Sequence, residues 1–137
     1  ELAEQKRKEE LEEEKERIAA EKRREDQILL HTFSSVEDIE TARDDKITAL
    51  ETSIALTERR NEKIQEDLDN RVKQAAAAER AGKEPSEELL RDIENLQRQV
   101  KTNNEFIAET RQEQKEVREA YAEDIKRFNE LKSASAE

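Results

Sequence analysis

Ala81-Gly82-Lys83-Glu84-Pro85-Ser86-Glu87-Glu88 contains the only glycine and the only proline of a 137-residue chain. Glycine just past a helix end adopts the left-handed conformation that closes the last turn, and proline cannot continue a helix. Ser86, followed by two acids, is a favourable N-cap with a first turn that complements the helix dipole. The stretch therefore spells the end of one helix, a turn at 82–86 and the start of another.

Working upstream, a mostly apolar stripe runs through Ile47, Leu50, Ile54, Thr57, Asn61, Ile64, Leu68, Arg71, Ala75 and Ala78, alternating steps of three and four. Downstream the same rhythm runs through Leu89, Ile93, Leu96, Val100, Asn103, Ile107, Thr110, Gln114, Val117, Tyr121, Asp124, Phe128 and Leu131. Such spacing keeps one face of each helix toward a partner helix. Ser35-Val36-Glu37-Asp38 sets a capping hydroxyl three residues before a carboxylate, so the first helix is expected to span 36–81 and the second 87–132. Helices of this length, roughly 70 Å each, joined by so short a turn, are expected to lie antiparallel. The expected fold class is all-α: a long antiparallel two-helix coiled-coil hairpin, preceded by a charged N-terminal helix at 1–27 and an apolar plug and cap at 28–35. A disordered tail is expected at 133–137.

The hairpin sets Asn61 against Asn103, and the same register sets Ile64 against Val100, Leu68 against Leu96, Ala75 against Leu89 and Ile47 against Val117. Two facing asparagines satisfy each other's amides and penalise a slipped pairing; equally, they can simply tolerate water at a thin seam. An offset of three residues would set Arg43 against Asp124 and Val36 against Leu131. The layers at Thr57, Thr110 and Gln114 are polar, so the seam buries few of the large aliphatic side chains that contribute about 1.5–3 kcal/mol each. Leu56, Leu90, Phe106 and Ile125 fall off the seam, where they are ordinary scattered surface residues or contacts for a second copy or another protein.

Residues Glu1 to Asp26 carry 11 acids and 8 bases with Leu2, Leu11 and Ile18 as their large apolar residues. Pairs such as Glu4 with Lys8 and Glu13 with Arg17 sit at helical neighbour spacing, which predicts a solvated helix. Ile28, Leu29, Leu30 and Phe33 are expected to fold onto the open base of the hairpin near Phe128 and Leu131.

Composition bounds what such a chain does. Only 32% of residues are hydrophobic, 46% are charged and 3% aromatic, with no Cys, Met or Trp. This excludes a disulfide scaffold and a zinc-cysteine centre, and it argues against a loop-rich enzyme. The net charge of -11 repels phosphate backbones and anionic lipid. No nucleic-acid partner and no membrane insertion are expected. The acid run Glu9, Glu10, Glu12, Glu13 and Glu14 is interleaved with bases and suits a solvated face. His31 is the only histidine and falls short of a zinc signature. Ser34, Ser35 and Ser86 have sufficient work as caps. No catalytic residue, no metal ligand and no cofactor site is therefore expected, and the chain is expected not to be an enzyme. Because it opens on Glu1 and contains no Met, it is expected not to be a complete translation product, with something upstream removed.

Ile28-Leu29-Leu30-His31-Thr32-Phe33, Asp38-Ile39-Glu40, Ala42-Arg43-Asp44, Leu56-Thr57-Glu58, the Glu79-Arg80-Ala81-Gly82 turn and Asp124-Ile125-Lys126-Arg127-Phe128 together carry a resemblance. Over about residues 28–131 the chain resembles the coiled-coil portion of uncharacterised bacterial envelope proteins, in which a signal peptide and a small β domain of unknown function precede a charged helical hairpin. The resemblance implies a periplasmic or cell-envelope setting and brings no catalytic residues; a cytoplasmic one suits the cysteine-free composition equally. Three roles follow as expectations: a scaffolding module mediating protein–protein association, homodimers included; a regulatory adaptor whose hairpin binds a partner helix; or the stalk of a larger protein with an active domain upstream.

Overall fold

The computed structural model describes residues 1–136, and Glu137 lies outside the described residues. Among them the protein is all-helical, with no strand. Helix α1 is Leu2–Thr32, α2 is Val36–Arg80 and α3 is Glu87–Ala136. Helix packing is mainly between α2 and α3. Two compact units divide the chain, one formed by Glu1–Asp44 with the end of α3 from Glu119, the other by Asp45–Arg118.

The punctuation between α2 and α3 is explicit. The Lys83 N–H donates to the Ala78 carbonyl at 2.9 Å and the Gly82 N–H to the Glu79 carbonyl at 3.0 Å. This paired arrangement satisfies carbonyls that the helix end leaves open, and it requires a left-handed residue, which Gly82 supplies with φ 74°. At the other side of the turn Ser86 Oγ accepts the Leu89 N–H at 3.1 Å, an N-cap bond. No atom lies within 4 Å of where a Cβ on Gly82 would sit, so only backbone strain opposes a side chain there. Gly82→Ala is accordingly expected to lower stability by about 1 kcal/mol, read as a fall in melting temperature, with Gly82→Asn falling less because asparagine tolerates the left-handed region.

The start of α2 departs from the expected box in one detail. Ser35 Oγ accepts the Asp38 N–H at 3.2 Å, but the Asp38 carboxylate returns to the Ser34 N–H at 3.1 Å rather than to that of Ser35.

Two helix ends also differ from expectation. Residues 28–32 are not a separate plug but the last turn of α1, which ends at Phe33 in extended conformation. Its backbone bonds continue, with the Phe33 N–H reaching the Leu29 carbonyl at 3.1 Å and Thr32 Oγ1 donating to the Ile28 carbonyl at 2.6 Å. The helix therefore holds Ile28 and Leu30 exposed, at 59% and 37%, while Leu29 and Phe33 are half-buried. At the other end, α3 continues through Ala136, where a tail from 133 was expected, because Lys132-Ser133-Ala134-Ser135-Ala136 holds no helix breaker and Ser135 Oγ donates back to the Leu131 carbonyl. The final residue of that expected tail, Glu137, lies outside the described residues.

Candidate functional site

In the unit Asp45–Arg118, Ile54 and Leu68 are the buried apolar residues, and Thr57, Thr110 and Gln114 are buried beside them. All the positions counted on the three-four spacing are buried or half-buried, Ile64, Leu96 and Val100 among the half-buried. Burying a hydroxyl without a partner is costly. Thr57 avoids this by donating to the Ser53 carbonyl at 2.9 Å, and Thr110 by donating to the Phe106 carbonyl at 2.7 Å, each within its own helix.

Between α2 and α3, most of the side-chain hydrogen bonds come from amide side chains. Asn103 Nδ2 donates to Asn61 Oδ1 at 3.4 Å, and Asn61 Nδ2 donates to Asn104 Oδ1 at 2.9 Å. Asn61 thus bridges two adjacent amides of α3. Gln114, only 3% exposed, sends its Nε2 to the Ile47 carbonyl at 3.2 Å and to Glu51 Oε2 at 3.0 Å. Arg111 reaches Glu58 at 3.1 Å. These contacts step back along α2 as they advance along α3. Arg71 is the weak layer: its Nε is buried without a hydrogen-bond partner, and the Asp92 carboxylate, at 3.8 Å, is near enough for charge attraction but too far to accept.

In the unit built from Glu1–Asp44 and the end of α3, Ile39 and Phe128 are the buried apolar residues, with the Lys132 ammonium 5.4 Å from the Phe128 ring centre. Arg127 of α3 grips Asp26 of α1 with two parallel bonds, Nε to Oδ1 at 2.9 Å and Nη2 to Oδ2 at 2.7 Å, and donates its remaining nitrogen to Glu130 at 3.0 Å. Hydrogen bonding from Arg127, helped by its charge and that of Lys22, holds the Asp26 carboxyl below its ordinary range against the opposing effect of desolvation. Any stability the pair supplies is therefore present above the ordinary carboxylate range and is lost only as pH falls through the lowered value. Lys22, Glu25, Leu29, Glu123, Asp124, Lys126 and Glu130 line the same groove as this pair. Burial pushes the Asp124 carboxyl upward. Arg43 does not pair with it: the Arg43 guanidinium bonds to the neighbouring Asp44 at 2.9 Å and lies 3.9 Å from Glu40 on its own helix, both reachable without crossing to α3.

The four residues expected off the seam separate. Leu56, Leu90 and Phe106 are 48%, 48% and 42% exposed, whereas Ile125 is half-buried. Val72, 46% exposed, belongs with them and was not singled out, although it sits one step past the seam residue Arg71 just as Leu90 sits one step past Leu89. On α1 no residue is buried. Arg17 there bonds to Glu14 and Glu21 rather than to Glu13, and His31 is exposed.

Among the described residues no group of three or more His, Cys, Asp or Glu side chains is placed to hold a metal ion, and no helix is long and apolar enough to cross a membrane. No protein family, curated protein or solved structure matches this chain at a significant level.

Proposed function

We propose that this chain is a non-enzymatic scaffolding module, an antiparallel two-helix coiled-coil hairpin preceded by a charged helix, that spaces or docks protein partners and uses self-association to do so. The observation that carries this is the set of cross-helix amide bonds: Asn61 to Asn103 and Asn104, and Gln114 to Ile47 and Glu51. Directional bonds at fixed layers specify one pairing of helices, which is what a spacer needs and what a purely aliphatic seam supplies poorly. Leu56, Phe106, Val72 and Leu90 remain outside that seam and supply apolar contact area. A bacterial envelope setting rests on the sequence resemblance alone, and fractionation of cells carrying the tagged full-length protein tests it.

Solution mass by light scattering across a concentration series tests the association. The expected result is a mass that rises from 16.0 kDa toward twice that value, and that stays at the monomer value in the Leu56→Glu, Phe106→Glu double variant. A mass fixed at the monomer value for the unaltered chain at every concentration removes self-association. That outcome favours the second reading, an adaptor whose polar layers at Thr57, Thr110 and Gln114 accept a partner helix; a partner that raises the melting temperature then identifies it.

A further inference from the structure

The attachment of α1 is thin. It buries no residue, and from Leu2 through Ile18 every position is exposed, with Ala19, Ala20, Asp26 and Leu29 its only half-buried helical residues. Large apolar side chains that could have anchored it, Ile18 and Ile28, are more than half exposed. The groove between α1 and α3 is lined by five carboxylates and three cations. Its own charge therefore favours opening unless a cation is shared across it. Arg127 is that cation, bonded to Asp26 through two nitrogens with the two side chains 35% and 17% exposed. The fork geometry joins residues 101 positions apart in sequence, and a bidentate guanidinium–carboxylate pair is stronger and more directional than a single ion pair.

We propose that α1 is a releasable arm, held against α3 by the Arg127–Asp26 clasp and set free by rising ionic strength. Release withdraws Leu29 from the groove and leaves the carboxyl-rich surface around Glu123 and Asp124 open on α3. The clasp thereby couples the local salt concentration to whether the end of α3 is covered. This stands apart from the scaffolding role, since it concerns contacts within one chain and holds for a monomer.

Paired spin labels on the full chain at Arg24→Cys and Asn129→Cys, both exposed positions, read the separation of α1 and α3 directly. At low salt a single narrow distance distribution is expected. Raising salt to about 1 M shortens the screening length from about 10 Å to about 3 Å and is expected to broaden and lengthen it. Arg127→Gln is expected to increase the open population about tenfold at low salt, with Arg127→Lys intermediate because it keeps the charge and loses the fork. Asp26→Asn breaks the clasp from the α1 side without touching α3 and is expected to open it as well, whereas Glu130→Gln removes only a partner within α3 and is expected to leave the distribution narrow. Distributions that ignore both salt and Arg127→Gln overturn the proposal. So does an equal opening by Glu130→Gln, which lowers the negative charge of the groove and leaves both Arg127–Asp26 bonds in place, since the arm would then respond to something other than the clasp. Far-UV circular dichroism on each variant, with helix content unchanged, is the expected companion result; loss of helix together with the distance change overturns release in favour of local unfolding.

Discussion

Ile54→Ala is expected to lower the folding free energy by about 2–5 kcal/mol, the loss that follows removal of three methyl-sized groups from a buried site with incomplete collapse around it. Ile54 is fully buried at 0% exposure, and in its unit it shares the interior with Leu68 at 8% and with three polar residues. Thr57, Thr110 and Gln114 satisfy their own hydrogen bonds but contribute little apolar area, so Ile54 carries a disproportionate share of the hydrophobic term. A stability of a few kcal/mol is ordinary for so small a core, and the variant is expected to be largely unfolded near 37 °C. Thermal and urea unfolding followed by circular dichroism measure the change. Leu56→Ala is the matched comparison, two residues away and 48% exposed, with an expected change within about 0.5 kcal/mol. A Leu56 loss approaching that of Ile54 would mean that Leu56 is covered in solution, and would itself argue for association.

The turn between α2 and α3 was legible because backbone chemistry is local: Gly82 takes the left-handed conformation without strain, Pro85 cannot continue a helix and the Ser86 hydroxyl caps one, and each is found where that chemistry directs it. The repeating stripe was legible for a similar reason, since a spacing of three and four is the geometry of one helix face. Less legible was what polar residues on that face would do. Gln114 reads in sequence as a layer that weakens the seam, yet its amide reaches a main-chain carbonyl and Glu51 on α2, a pairing that depends on side-chain length and rotamer. The Asp26–Arg127 clasp left no trace at all. Nothing in the local sequence says how α1 lies against α3, and in a chain so rich in charge, Asp26 has many formal partners. The same excess of options applies at Arg43, whose guanidinium bonds to the adjacent Asp44 at 2.9 Å, a partner that neither of the two possible offsets of the stripe singles out. Propensity also outran expectation at both ends of the helices. Residues 28–32 stay helical despite their apolar run, because no breaker precedes Phe33, and α3 continues through Ser133 and Ala134 for the same reason.

Asn61→Leu is expected to destabilise by about 2 kcal/mol, while Asn103→Leu is expected to lose less and the double variant to recover most or all of the loss. The asymmetry comes from the bonding. Asn61 serves two partners, accepting from Asn103 and donating to Asn104, so its removal strands the half-buried Asn103 amide against an aliphatic side chain. Asn104 is exposed and regains water. Removing Asn103 instead leaves Asn61 with its 2.9 Å bond to Asn104. Replacing both asparagines removes the half-buried donor and acceptor together and adds apolar area to the seam, which is neutral or stabilising. A double-mutant cycle by urea unfolding measures the coupling, with strong non-additivity expected. The recovered stability has a consequence for assembly. The five residues 81–85 between helix end and N-cap are too few to let α2 slip by a heptad against α3 of its own chain, so the alternatives that the asparagines penalise are pairings with other chains. The double variant is therefore expected to gain species above its parent's mass in light scattering even as its melting temperature holds or rises. Simple additivity of the two single losses, with the mass distribution unchanged, would mean that these amides only tolerate water and specify nothing.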